Sequence, residues 1–301
     1  MSGMKKIVEC VPNFSEGRDR EKIEKIVDPF RTKDGVKLLD VQWDNDHNRM
    51  VVTTVGAPEP MKEAVMEAMG VAVDLIDMTG HKGQHPRMGA TDVVPFIPIK
   101  NMTTTEAVEL SKEVAKDVSE RYGLPIFLYE DSATRPDRKN LATIRKGQFE
   151  GMSEKMKDPD WRPDFGPETI HPTAGVTAVG ARMPLVAYNV NLDTDKLEIA
   201  DRIARQVRHI SGGLRFCKGI GVELKDRGIV QVSMNMTDFT KTALYRAFEL
   251  VRIEARRYGV NVVGSEIVGL VPMEALIDCA AYYLGLEDFS MDQVLEARIM
   301  E

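Results

Sequence analysis

Hydrophobic and polar positions along the chain follow two periods in alternation. Residues 6–12 (KIVECVP) form a short apolar run that predicts a strand, with Cys10 inside it as core. NFSEG at 13–17 reads as a turn into a helix over about 18–31, where Ile23, Ile26, Val27 and Phe30 recur at helical spacing. Ser15 is the natural N-cap in that turn, and free amides at a helix start can also hold a carboxylate. Two strands follow at 36–41 and 50–55, then a helix with Pro60 in its first turn and Met61, Val65, Ala68, Ala72 and Leu75 on one face. The run 92–100 (DVVPFIPIK) is a further strand, and Pro95 and Pro98 predict an edge or irregular position for it. Thr103 and Glu106 form a capping box for a helix that Gly123 closes, and 125–130 (PIFLYE) is a buried strand.

Residues 131–180 lose this periodicity and are rich in Arg, Lys, Pro, Gly and Asp, which predicts a long binding loop. The pattern restarts with a strand at 185–190. A helix follows, capped by Asp193 or Asp195, with Ile199, Ile203, Val207 and Ile210 inward. A hairpin 214–224/229–236 turns through 225–228, a helix at about 239–258 buries Leu244, Phe248, Val251 and Ala255, and a strand near 260–263 precedes a helix from Met273. The first six elements of this half match the ferredoxin-like split βαβ arrangement, and the first half is a longer version of the same plan. The expectation is an α/β (α+β) protein of two ferredoxin-like subdomains, 4–184 and 185–301, each a mixed sheet with helices packed on it.

Composition narrows the class. With 301 residues, 43% hydrophobic and 29% charged, the chain can bury a core, and no run approaches the ~20 apolar residues of a membrane span. No signal peptide is read at the start, and three scattered cysteines fit a reducing, cytoplasmic setting better than a disulfide framework. A net charge of −7 argues against a nucleic-acid surface, so an anionic ligand would need local basic residues. The 17 methionines read as core filler.

The densest polar constellation is HKGQHPRMG at 81–89. Two histidines four apart could bind zinc on a helix, but Gly83 and Pro86 oppose a regular helix and no third ligand has convincing spacing, although His171 could approach. The remaining readings are hydrogen-bonded loop histidines and general acid/base catalysis, which suits an ordinary imidazole near pKa ~6.5. The small residues of 166–175 would let backbone amides approach a flat ligand, or would make a plain linker. Asn48 and Arg49, between two strands, read as a turn or an anion clamp.

ECVPNFSEG at 9–17, LLDV followed by NR at 38–49, HKGQHPRMGATDVVPFIP at 81–98, PDFGP at 163–167 and HPTAGVTAVGAR at 171–182 together resemble the glutamate formimidoyltransferase family. The resemblance extends from about residue 4 to 290 and includes VQVSMNMTDF and VGSEIVGLVP. It implies formimidoyl transfer from N-formimidoyl-L-glutamate to N5 of tetrahydrofolate in histidine degradation. It further implies a homodimer of two ferredoxin-like subdomains with a folate groove between them, and tetrahydrofolate as co-substrate with no metal. By motif, the catalytic histidine falls on His85, and the folate-binding segment on Gly166, Pro167, Glu168, Thr169, Ile170, His171, Pro172, Thr173, Ala174 and Gly175. Candidate donor-binding residues are Asn13, Arg49, Arg87, Arg138 and Arg145, the arginines supplying charge for the glutamate carboxylates. Gln42 stands where family members often carry an acid two positions after LLD. Competing readings are formyl transfer or cyclisation on 5-formyltetrahydrofolate, and a non-enzymatic folate-binding module.

Overall fold

A computed structural model describes residues 6–83 and 85–299, so the expected subdomain limits at 4 and 301 lie outside the described residues. The chain divides into two compact units between Arg182 and Met183.

In the first unit, β1 (Ile7–Cys10) and β2 (Asn13–Phe14) precede α1 (Arg20–Thr32), β3 (Val36–Asp44), β4 (Arg49–Gly56), α2 (Pro58–Leu75), β5 (Thr91–Lys100), α3 (Thr104–Tyr122) and β6 (Ile126–Glu130). After them come α4 (Leu141–Arg145), α5 (Gln148–Lys155) and β7 (Thr177–Ala181). The strands make one mixed sheet. β4 pairs antiparallel with β3, β1 and β2, β5 pairs antiparallel with β1 and β2, and β7 lies parallel between β5 and β6. The capping box at Thr103 and the left-handed Gly123 bound α3 as the sequence predicts.

The period of two along the central strands sorts their side chains onto two faces. Val94, Phe96, Ile126, Leu128 and Val179 join the inward stripes of α1, α2 and α3 in one core. Val93, Phe127, Tyr129 and Ala178 join Ile144 of α4 and Met152 of α5 in another. A sheet region covered on both sides reads as an unbroken apolar run, which is how β5 and β6 look in the sequence.

Several expectations are corrected here. Of the two positions expected for β5, the edge is corrected and the irregular strand holds: β5 is interior, and its prolines sit where the neighbouring ladder is interrupted. Pro95 lies opposite the gap between β1 and β2, where its carbonyl accepts from Val11 N, and Pro98 lies beside the register shift at Ile7/Val8. The aperiodic stretch 131–180 is not one loop: it folds into α4, α5 and β7 and covers the second face of the sheet. Ser15 does not cap α1. Asp19 does, accepting from Glu21 N and Lys22 N, while Ser15 Oγ donates to Gly89 O at 2.7 Å.

The second unit runs β8 (Val186–Leu192), α6 (Leu197–Val207), β9 (Cys217–Leu224), β10 (Ile229–Met236), α7 (Leu244–Arg256), β11 (Val262–Val268) and α8 (Met273–Leu284). Its strand order, β11-β8-β10-β9, places the first and third strands in the centre. Every pairing is antiparallel, so this sheet is not mixed as expected. α6 and α7 cover one face through Ala200, Ile203, Val207, Leu244, Val251 and Ala255. Ile210 lies past the end of α6 and is 85% exposed. The N-cap of α6 is Lys196, and Asp193 instead accepts from Asn261 N and Nδ2.

Candidate active site

Pairing of β4, β2 and β5 brings Arg49, Asn13 and Asp92 side by side at one end of the first sheet: Asn13 stands opposite Val51 on β4 and Val93 on β5. Neighbouring strands lie ~4.8 Å apart, so side chains at such positions touch across the ladder. The carboxylate of Asp92, 1% exposed, is the hub. Its Oδ2 accepts from Arg145 Nη2 at 2.6 Å and Arg49 Nη1 at 3.3 Å, and its Oδ1 accepts from Met88 N at 3.0 Å. Arg49 Nη2 also donates to Asn13 Oδ1, and Arg49 Nη1 donates to His85 Nδ1 at 2.8 Å. Arg145 ends α4, and its Nε is buried with no hydrogen-bond partner among the described residues.

The loops that carry these groups are locked together by backbone packing. Asn48, in the left-handed region at φ 48°, accepts from Gly17 N through Oδ1, donates to Lys82 O through Nδ2, and accepts from His81 Nε2 through its carbonyl. A Cβ at Gly83 would stand 2.2 Å from His47 O, so only glycine lets these two loops meet. The HPRMG loop is tied in turn to the 166–175 segment. Ala90 N donates to Ala174 O at 2.9 Å, Val176 N donates to Met88 O at 3.1 Å, and Gly89 bridges Gly175.

Burial, then the charges of Arg49 and Arg145, push His85 from the ordinary 6.5 down to about 3. The expectation of an ordinary imidazole is therefore corrected: in this arrangement the ring is neutral and resists protonation. Burial also lowers Arg49, to about 10, which leaves it a cation at neutral pH.

Two family models match the chain: the formiminotransferase domain, N-terminal subdomain, over residues 7–182 and the formiminotransferase domain over 187–299. The chain belongs to the formiminotransferase family. It is 58% identical over 298 residues to the glutamate formimidoyltransferase of Streptococcus pyogenes serotype M1, covering 99% of this chain and 100% of that one. It is 48% identical to the glutamate formimidoyltransferase of Thermoplasma acidophilum, covering 97% of each. Against the formimidoyltransferase-cyclodeaminase of Mus musculus it is 44% identical, over 94% of this chain and 53% of that one.

Within this formiminotransferase fold, the expected site residues separate into two groups. Asn13, Arg49, His85 and Arg145 meet around Asp92. Arg87 and Arg138 do not join them. Arg87 forms a two-pronged pair with Glu150 (2.6 and 2.8 Å) and donates to His81 Nδ1 and His81 O, so it braces the loop from behind. His81 thus has both ring nitrogens engaged structurally. Arg138, 3% exposed, pairs with Asp164 at 2.8 Å and donates to Asp160 O and Arg162 O. It is an internal clasp that fixes the approach to the 166–175 segment.

Two glycines of that segment are required by packing. A Cβ at Gly166 would meet Ser119 Oγ at 2.2 Å, and one at Gly175 would meet Met88 O at 2.3 Å, so both serve close packing within the unit. Gly166, Pro167, Glu168, Thr169 and Pro172 are exposed, Ile170, His171 and Thr173 half-buried, and Ala174 and Gly175 buried. His171 Nδ1 accepts from Ala174 N at 2.9 Å, which closes the turn. Gln42 donates to Asp40 Oδ2 at 2.7 Å. Among the described residues no group of three or more His, Cys, Asp or Glu is arranged to hold a metal ion, and no helix is long and apolar enough to cross a membrane.

Asp92 is the residue that sequence reasoning missed. The signal was present: an acid inside the apolar run DVVPFIPI must be paired or neutralised if that run is buried.

Proposed function

We propose that this formiminotransferase-family chain moves the formimidoyl group of N-formimidoyl-L-glutamate to N5 of tetrahydrofolate, yielding L-glutamate and 5-formimidoyltetrahydrofolate in histidine degradation. One observation carries the reading: the imidazole of His85 beside two largely buried guanidinia, Arg49 and Arg145, held on one carboxylate. Cations of this kind bind carboxylates with charge-assisted hydrogen bonds, and an imidazole next to them passes protons. N5 loses a proton as it bonds to the formimidoyl carbon, and the departing glutamate nitrogen gains one, so His85 serves both steps. Asn13, Arg49 and Arg145 bind the donor. The segment from Gly166 to Gly175 binds the folate; its bridge to Gly89 supports this by setting it beside the His85 loop, with an exposed rim at 166–169. Holding both substrates on one rigid frame supplies much of the acceleration.

The active form in this proposal is a cytoplasmic homodimer. The exposed Leu276, Tyr282, Tyr283 and Leu284 on α8 support self-association, and the free thiols of Cys10, Cys217 and Cys279 suit a reducing compartment. Sedimentation of a monomer at micromolar concentration would contradict the dimer. The function itself is tested by L-glutamate release from N-formimidoyl-L-glutamate with and without tetrahydrofolate, beside a parallel assay with 5-formyltetrahydrofolate. Release that depends on tetrahydrofolate is expected; turnover of the formyl compound alone would overturn the reading.

A further inference from the structure

An arginine N–H donates a hydrogen bond and never accepts one. The ring nitrogen that faces Arg49 Nη1 at 2.8 Å, Nδ1 of His85, therefore carries a lone pair and no proton. A neutral imidazole has a single N–H, so that proton sits on Nε2. In this tautomer Nε2 has no lone pair to offer, and Nδ1 is covered by a guanidinium. The base that the transfer needs is present but closed.

Asp92 makes the closure firm. Its Oδ2 accepts from the same Arg49 Nη1 and from Arg145, and its Oδ1 holds Met88 N, three residues along from His85. Asn13 Oδ1 takes the other Arg49 nitrogen. The charged or titratable groups around the ring are Arg49, Arg145 and His47, whose ring lies 6.5 Å away, with Asp92 behind the arginines and Asp44 bound to His47.

We infer that Arg49 is a positioning residue with two stations, His85 Nδ1 before the donor binds and a donor carboxylate afterwards, with Asp92 as its anchor. The inference rests on the formimidoyl-transfer reading. A carboxylate offers the guanidinium an opposite full charge and two acceptor oxygens, where neutral Nδ1 offers one lone pair, so an arriving carboxylate draws Nη1 off the ring. Nδ1 is then open. N5 of tetrahydrofolate bonds to the formimidoyl carbon and its proton passes to Nδ1, giving an imidazolium with a proton on each nitrogen. That imidazolium returns the Nδ1 proton to the glutamate nitrogen as the carbon–nitrogen bond breaks, and L-glutamate leaves as the amine. The proton count is unchanged over the cycle. The carboxylate also neutralises the cation that had opposed the imidazolium, so donor binding both uncovers the base and strengthens it.

The test is 15N NMR of the intact protein with labelled histidines, the His85 signals assigned by their loss in His85→Gln. Without ligand, the shifts should report the Nε2–H tautomer with no titration between pH 5 and 8. Saturation with L-glutamate, the product that keeps both carboxylates, should raise the ring's proton affinity by about 100-fold, two pKa units, which brings its titration to the lower edge of that window. In Arg49→Gln the ring should show a rise in proton affinity without ligand, with burial and Arg145 still opposing it, and L-glutamate should add little. Calorimetric binding of L-glutamate that leaves the tautomer and titration of His85 unchanged would overturn the inference. Absence of L-glutamate binding together with absence of donor turnover would instead remove the transfer reading, and the two stations with it.

Discussion

Asp92→Asn isolates the charge at the hub of the site while keeping its shape. The amide oxygen still accepts from Met88 N, but Arg49 and Arg145 lose their shared counter-charge and face an NH2 group that can only donate. Removing one member of a buried ion pair costs ~3–5 kcal/mol, because the remaining charge is stranded. Asp92 is buried, whereas the side chains of Arg49 and Arg145 keep 19% and 13% exposure, so some of their solvation survives and the lower end, ~3 kcal/mol, applies. For a unit of this size, each kcal/mol shifts Tm by about 2–4 °C, so a fall of about 6–12 °C is expected. The measurement is differential scanning calorimetry of the intact protein at pH 7, with Lys6→Met as the comparison. Lys6 pairs with Glu106 at the surface, and exposed pairs of this kind are worth ~0–1 kcal/mol. Adding 1 M salt should leave the Asp92→Asn deficit in place, since buried charges are poorly screened. A Tm within about 2 °C of wild type would refute the argument that Asp92 neutralises two buried cations.

Three further outcomes are expected. Gly89→Ala would place a Cβ 2.1 Å from Val176 O and 2.9 Å from Ala174 O, both backbone, so a loss of ~2 kcal/mol in urea unfolding should accompany weaker folate binding. Arg138→Met should lower stability by ~3 kcal/mol yet leave donor KM within about twofold, whereas Arg145→Ala should raise donor KM about tenfold; steady-state kinetics at matched temperature separate the two. Because His85 is held at about 3 instead of 6.5, the unfolded chain binds the extra proton between those values. Its contribution to stability is thus complete above pH 6.5 and is lost as pH falls toward 3, so His85→Gln should show a flatter urea midpoint between pH 7 and pH 5.

What the sequence made legible was what short-range periodicity encodes. Ile23, Ile26, Val27 and Phe30 announced α1, and Thr103, Glu106 and Gly123 announced both ends of α3. The helices of the 131–180 stretch, five and eight residues long, are too short to repeat a 3.6-residue pattern, and the small residues of β7 carry no alternation. Pro95 and Pro98 marked an irregular strand but not its interior position, because the ladder gaps in β1 and β2 that absorb the missing N–H groups depend on tertiary register. In the site, residue type pointed to Arg49, Arg145 and His85. It could not separate them from Arg87 and Arg138, because the partners that engage the latter pair, Glu150 and Asp164, lie far away in sequence. His85's depressed proton affinity was hidden for the same reason: its causes are burial in the folded loop and the charges of Arg49 and Arg145, 36 and 60 residues away.

The central claim is that His85 carries the proton in a tetrahydrofolate-dependent formimidoyl transfer. Its most direct measurement is turnover of N-formimidoyl-L-glutamate by wild type and by His85→Ala, with tetrahydrofolate binding measured on both proteins. The account predicts rapid wild-type turnover and a loss of about 10²–10⁴-fold in the variant, the usual worth of a general acid–base group, with folate affinity retained. A variant that turns over at the wild-type rate would contradict it.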